Sequence, residues 1–486
     1  MELFSDMPGD EGLPGRKRCL AMIAVMTATT MAVFDGAMVN IALPQIARAL
    51  DVPAGAAIWV YNGYLLSVAI TLATFAALAK RIGFRALFAG GLAVFTLTSL
   101  GCALSSSLGW LTAMRVLQGV GGAATLSIAP AIHRSVFPNR LLGRILGLNA
   151  LLIAASTAIA PILGGTLLSA LSWRWIFAVN IPLGIVGVTL ALRTIPGAHV
   201  QTREPFDIAG ALLSAVAMAA LILAASACSR PSSGEPAFVS ALTAIAYAST
   251  AVAAGAAFVW RQRCAKEPLL PLDMFSSPRF SMAALTSLAS FVGQGITFIT
   301  LPILFENAYG YSAFASALLF TPWPVGIILA APHAGRLADR YQPAALATAG
   351  LSVFVTGLAL LALLPYHANA WDIGWRELIC GVGFGIFQSP NNRELMANAS
   401  RERSGSASGV LAIVRTFGQC LGAALVGVIL SAYAAPVMTD GGKLLSTVQS
   451  AQAVRMALWL AVAAAVSGIF VSASRVRWVG VQLFRE

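Results

Sequence analysis

Charge is what this chain lacks most. Asp, Glu, Lys and Arg together make up 10% of its 486 residues, against about 25% in a soluble globular protein, whose surface must face water. That is too little to coat even one soluble domain of this size, so the roughly three domains that length alone suggests are excluded. Cysteine is sparse as well. Cys19, Cys102, Cys228, Cys264, Cys380 and Cys420 are scattered, mostly within apolar stretches and without a Cys-x-x-Cys pair, which argues against a disulfide framework or a zinc site. No histidine cluster of metal-ligand type occurs. No Gly-x-x-x-x-Gly-Lys-Ser/Thr string is present either, which excludes ATP hydrolysis as a driving force. Loops are short throughout, which leaves no room for a soluble catalytic head.

What the chain has in abundance is apolar sequence: 58% hydrophobic residues and a mean hydropathy of +0.81. A bilayer-spanning helix needs about 20 apolar residues. Runs of that length occur at 19–43, 57–78, 87–105, 109–131, 145–168, 175–193, 207–228, 237–260, 280–304, 313–335, 344–365, 375–397, 408–431 and 453–473. They read as fourteen helices, because an open strand in lipid leaves its backbone unpaired, and the runs lack the alternation of a barrel. Arg16-Lys17-Arg18 before the first run resembles a signal peptide. That run is too long for one and holds a charge, so it reads as a retained first span.

The net charge of +12 would suggest nucleic acid in a soluble protein. Here the basic residues follow a membrane pattern, and no nucleic acid is expected. Of 31 Lys and Arg, 23 fall in the two tails and alternate loops, and six in the other loops, while Arg115 and Arg415 lie inside spans. The positive-inside rule then places both termini in the cytoplasm. Leu78-Ala79-Lys80-Arg81 after span 2 and Leu337-Ala338-Asp339-Arg340 after span 10 form a repeat eight spans apart. Six-helix halves with two inserted helices explain that spacing. The expected organisation is a tail at 1–18, a six-helix bundle at 19–193, linkers and two inserted helices at 194–279, a second six-helix bundle at 280–473, and a tail at 474–486.

Several motifs in register carry a resemblance over nearly the whole chain. Gly335-Arg336-Leu337-Ala338-Asp339-Arg340 resembles the G-x-L-a-D-R loop motif of the major facilitator superfamily, and Arg115-Val116-Leu117-Gln118-Gly119-Val120-Gly121 its R-x-x-Q-G-x-G motif. Asp35 with Val39-Asn40-Ile41-Ala42-Leu43-Pro44 resembles the first-span signature of the fourteen-spanner drug:proton antiporters. Ala160-Pro161-Ile162-Leu163-Gly164-Gly165 is similar to their antiporter motif, and Trp173-Arg174-Trp175 and Asn180-Ile181-Pro182 fit the same family. The chain departs from the pattern at Ala76, Lys80, Ser156 and Ala160. The resemblance implies an all-α membrane protein of fourteen helices: two six-helix bundles plus two inserted helices.

Asp35 reads as the only carboxylate deep within a span, about 12 Å from Leu43 at the outer end of its helix, and Arg115 lies about 9 Å deep on span 4. Charges so placed should meet a partner or a cavity. Three readings stay open: a static ion pair, a proton site on Asp35 with Arg115 assisting, and direct substrate contact. A single deep carboxylate implies one proton per cycle. Asn40, Gln118, Tyr61, Gln294, Gln388 and Asn391 are candidates for the substrate cavity, although buried amides often only bond to a neighbouring helix. Pro161, Gly164 and Gly165 are candidates for a seal between helices. Arg81, Gly83 and Arg85, with Gly335, Arg336, Asp339 and Arg340, are candidates for a gating latch in the loops. Glu306 reads as solvated at the outer mouth. Arg415 reads as a snorkelling cation without chemistry.

The expected activity is proton-coupled efflux of small amphipathic or cationic compounds by alternating access, with no enzyme activity and no cofactor beyond the proton gradient. The alternatives are export of one metabolite or siderophore, proton symport, and a non-transporting sensor or scaffold. Expected partners are a small-molecule substrate, protons and the lipid bilayer of a bacterial cytoplasmic (inner) membrane. No residue pattern specifies a periplasmic adaptor protein.

Overall fold

The computed structural model describes residues 12–197, 207–227, 237–265, 269, 272–338, 340–365, 368–397, 404–434 and 447–483. Among these residues there is no strand, and fourteen helical rods carry nearly all of the chain. The first six are α1 Gly15–Ala49, α2 Ala54–Ile82, α3 Phe84–Ala103, α4 Leu108–Val136, α5 Asn139–Ala170 and α6 Arg174–Thr194. The next two are α7 Ile208–Ala227 and α8 Ala237–Cys264. The last six are α9 Pro278–Ala308, α10 Ala313–Leu337, α11 Pro343–Ala362, α12 Ala370–Ala397, α13 Ser404–Ala434 and α14 Thr447–Leu483. Twelve of them are long and apolar enough to cross a membrane. The other two, α4 and α12, are as long but carry Arg115 and Gln118, and Glu377, Gln388 and Asn391, in their middles. Each is wrapped by apolar neighbours, α4 by α2 and α3, and α12 by α10 and α11. Gly55 at the start of α2 packs on Ser431 near the end of α13, and Gly165 near the end of α5 on Ala313 at the start of α10; these four helix ends mark the far end, and the end where α1 begins is called here the near end.

The two halves repeat each other in packing detail. In the first, Gly119 on α4 lies against the Tyr64 backbone of α2, and Gly121 lies against Phe95 of α3. In the second, Gly381 on α12 lies against the Trp323 backbone of α10, and Gly383 lies against Phe354 of α11. A Cβ at any of the four would meet backbone, so only glycine permits these crossings. The aromatic pairs correspond too. Tyr64 and Phe95 meet edge to face at 6.4 Å between ring centroids, and Trp323 and Phe354 at 5.6 Å. The helices α7 and α8 pair with each other outside this scheme. Among the described residues α7 packs on the halves, at α2 and α13, while α8 makes no more than slight contact with them.

The halves join towards the far end. Gly55 of α2 packs on Gly427 and Ser431 of α13, and Gly165 of α5 packs on Ala313 and Ala317 of α10. Asn62 bonds across to Cys420 and Ala424 of α13 once its amide is oriented to satisfy both atoms. Pro302 interrupts α9, and the rod continues as a wider π-helical turn over Leu304–Ala308. A missing backbone N–H followed by a π-bulge re-aims side chains. Glu306 in this turn is buried and receives Arg48 Nη2 of α1 at 2.8 Å. The expected solvated Glu306 is therefore corrected: the widened turn carries it inward to an ion pair between the halves.

Candidate functional site

Four helices of the first half converge on Asp35. Arg115 Nη1 donates to Asp35 Oδ2 at 2.5 Å and to Gln118 Oε1 at 2.6 Å. Gln118 Nε2 donates to Asp35 Oδ1 at 3.1 Å and to Ser99 Oγ of α3 at 2.8 Å. Asn180 Nδ2 of α6 approaches Asp35 Oδ1 at 3.4 Å. Arg115 Nε is taken up by the Val60 carbonyl of α2 at 2.9 Å, and the guanidinium lies 4.4 Å above the Tyr64 ring centroid. Arg115 and Gln118 are one helical turn apart, so one face of α4 presents both to the same carboxylate. Asp35, Arg115, Gln118 and Asn180 are all almost fully buried.

A buried ion pair survives when further hydrogen bonds satisfy its remaining atoms, and removing one partner costs about 3–5 kcal/mol. Here both Asp35 oxygens are satisfied. Arg115 Nη2 has no hydrogen-bond partner; its compensation is the Tyr64 ring, a cation–π contact worth about 2 kcal/mol when desolvated. The network can hold a proton-accepting carboxylate and its counter-charge in one fixed geometry. It holds no open ligand face, since none of these side chains reaches solvent.

The other sequence candidates fall in several places. Gln118 belongs to the ion-pair network. Asn40 and Tyr61 are buried side by side next to it, and Asn40 Oδ1 lacks a hydrogen-bond partner. Gln294 accepts from Gln419 Nε2 of α13 at 2.9 Å, and Gln388 is half-buried. Asn391 is built into a different cluster, towards the near end. It donates to Ser287 Oγ at 2.7 Å and accepts from Arg475 Nη1 at 3.0 Å, while Arg475 also pairs with Glu394. Pro161 is buried within α5; Gly164 packs on Met38 of α1 and Gly165 on α10 across the halves. In the near-end loops, Gly83 adopts φ +85°, a conformation that glycine alone adopts freely, and so turns α2 into α3. Arg81 is half-buried, and Arg85 lies against Gly197 beyond α6. Gly335 is half-buried, and Arg336 and Arg340 are exposed. Asp339 lies outside the described residues.

One residue was missed and a second was misread. Glu377 on α12 is fully buried, and neither carboxyl oxygen has a hydrogen-bond partner among the described residues. The expectation that Asp35 is the only deep carboxylate is therefore corrected, and with it the basis for one proton per cycle. A signal was available: Glu377-Leu378-Ile379-Cys380-Gly381-Val382-Gly383 repeats the frame of Arg115-Val116-Leu117-Gln118-Gly119-Val120-Gly121, so Glu377 occupies the place of Arg115 in the second half. The second is Arg415, expected to snorkel. It sits eleven residues into α13, about 16 Å along the rod, with its guanidinium 5.8 Å from the Phe291 ring centroid of α9.

Asp207, just outside α7, fastens the inserted pair. It accepts from the Gly210 backbone N–H at 2.9 Å, Arg261 Nε at 3.0 Å and Gln262 Nε2 at 3.0 Å. Burial pushes its carboxyl up, but these three donors and the Arg261 charge outweigh it and hold the group below the usual range.

Comparison with known proteins agrees with this architecture. The family model described as Major Facilitator Superfamily matches residues 25–423. The chain is 39% identical over 469 residues to YebQ of Escherichia coli, an uncharacterized transporter, covering 96% of this chain and 98% of that one. It is 30% identical over 420 residues to the multidrug resistance protein Stp of Mycobacterium tuberculosis, covering 86% and 77% respectively. A bacterial homologue of the human lysosomal transporter Spinster, solved inward-facing and unoccupied, superposes with a TM-score of 0.67 at 15% identity, over 95% of this chain and 98% of that chain. The repeated six-helix halves, the inserted helix pair and the family match together make this chain a multi-pass membrane transporter of the major facilitator superfamily.

Proposed function

We propose that the protein exports small amphipathic compounds in exchange for protons, as a drug:proton antiporter of a bacterial inner membrane with both termini in the cytoplasm. The observation that carries the reading is the buried Asp35–Arg115–Gln118 network. A proton arriving on Asp35 neutralises the acceptor of Arg115 and frees the guanidinium, so the packing of α1, α3, α4 and α6 becomes sensitive to one proton. Differential stability of two arrangements is what coupling requires. The far end then faces the periplasm, and the contacts of α2 with α13, of α5 with α10, and of Arg48 with Glu306 close it. The name of the relative Stp, a multidrug resistance protein, supports export of toxic compounds.

The test uses inverted vesicles containing the full chain, with an imposed pH gradient, acid inside, and a fluorescent amphipathic dye outside. Dye accumulation that tracks the gradient is the expected result. Asp35→Asn should abolish uphill accumulation while leaving downhill dye exchange. Full uphill transport by this variant removes the proton role from Asp35.

A further inference from the structure

Arg415 is the one exposed side chain in the stretch 409–431 of α13; every other residue there is buried or half-buried. Its surroundings are not a lipid face. Phe291 of α9, 2% exposed, lies under the guanidinium, and Tyr61 of α2, 4% exposed, faces it from the other half. On one side Gly418 and Gly422 clamp α13 to α9; on the other Asn62 and Cys420 join it to α2. An exposed group walled by two buried rings on two different helices looks into a space at the seam of the halves. A cation presented to hydrocarbon at this depth would cost roughly 2.5–3.5 kcal/mol, which is a further reason to place it in a water-filled space.

Among the described residues no group neutralises this charge. Arg415 has no ion pair or hydrogen bond among the described residues, and the acids of the adjoining helices are engaged or enclosed. Asp35 is taken by Arg115, Gln118 and Asn180, Glu306 by Arg48, and Glu377 is fully buried. One turn along α13, Gln419 and Gln294 form an amide pair. The site thus offers a planar five-donor cation on an apolar floor, with an amide pair one turn away.

We propose that Arg415 binds the carboxylate of an amphipathic substrate, with Phe291 holding the guanidinium from beneath. This rests on the export reading above and narrows its substrate class from amphipathic compounds in general to those with an acidic group. A guanidinium meets a carboxylate in two parallel hydrogen bonds, which no amide or ester can accept equally.

Rhodamine 110 and rhodamine 123 share their ring system and differ in a carboxylate against its methyl ester. Their binding to the purified full-length protein, read by fluorescence anisotropy, should favour rhodamine 110 by about tenfold or more, equivalent to about 1.4 kcal/mol. Arg415→Gln should bring the ratio of the two affinities near one, and Arg415→Lys should leave it intermediate. Equal or tighter binding of the ester by the unmodified protein overturns the proposal, as does a Gln variant that keeps the preference. If Arg415→Gln does not fold, the unmodified protein's ratio alone decides. The same dyes in inverted vesicles separate the two readings. A binding preference without gradient-driven accumulation removes export and leaves the anion site, and accumulation without the preference does the reverse.

Discussion

The two six-helix halves share a backbone plan and differ in what they bury. In the first, position 115 is an arginine stacked on Tyr64 and locked to Asp35. In the second, the matching position is Glu377, with no hydrogen-bond partner among the described residues, and the matching ring is Trp323. Around it runs an apolar chain of edge-to-face rings, Phe298–Trp323–Phe354–Phe384–Phe387, with centroids 5.3–5.8 Å apart. Each such contact adds about 0.5–1.5 kcal/mol beyond burial. At matching positions the first half therefore relies on charges that must stay matched and the second on rings, while the second half's own buried ion pair, Arg475 with Glu394, lies towards the near end.

The largest effect should come from unmatching the first half. Arg115→Gln leaves Asp35 as an uncompensated buried charge and should destabilise the purified protein by about 3–5 kcal/mol. Adding Asp35→Asn to it should recover most of that loss, while gradient-driven transport stays absent. Thermal unfolding in detergent measures the first, and vesicle uptake the second. No recovery in the double variant would show that the pair is not an energetic unit.

A smaller effect is expected at the seam. Arg48 is about half exposed, so its pair with Glu306 is partly screened, worth about 1 kcal/mol. Arg48→Ala should raise labelling of cysteine probes placed at the far end of α2 about fivefold. Unchanged labelling would mean that helix packing alone closes that end.

At the inserted pair, Asp207→Asn should loosen the α7–α8 junction by about 1 kcal/mol, read as faster proteolysis near residue 207. The folded carboxyl titrates below its unfolded value, about 3.9. Its contribution is therefore full above about pH 4 and is lost as pH falls through the folded value, so variant and parent should converge in acid.

The smallest effect should be at Glu377. Glu377→Gln breaks no ion pair and keeps the side chain's shape, so unfolding should shift by less than about 1 kcal/mol. A loss as large as that of Arg115→Gln would erase the contrast between the halves.

Much of this was legible in the residues. Fourteen apolar runs gave the rods, because lipid leaves a spanning segment no other way to pair its backbone. The depth estimate for Asp35 and Arg115 placed both in the outer half, and in the structure they touch. Helix ends were less legible: α1 begins at Gly15 and runs to Ala49, past both edges of its apolar run, because helix geometry continues into interfacial residues that hydropathy does not mark. Glu306 and Arg415 were misread for one reason. Their depth along a rod was apparent, but the π-helical turn after Pro302 and the partner rings across the seam were not.

Composition and the length of the apolar runs by themselves determined that the chain is a bundle of membrane helices. Burial of apolar area and backbone pairing are local demands, and each segment states them in its own sequence. Which polar groups meet was decided only in three dimensions. Asp35 and Arg115 are 80 residues apart, Arg48 and Glu306 258 apart. Rotation of each rod about its axis selects such pairs, and that rotation is set by glycine contacts such as Gly119 on Tyr64 and Gly381 on Trp323. The same rotation turned Gln118 into the ion-pair network, Asn391 towards Arg475, and Arg415 to the seam.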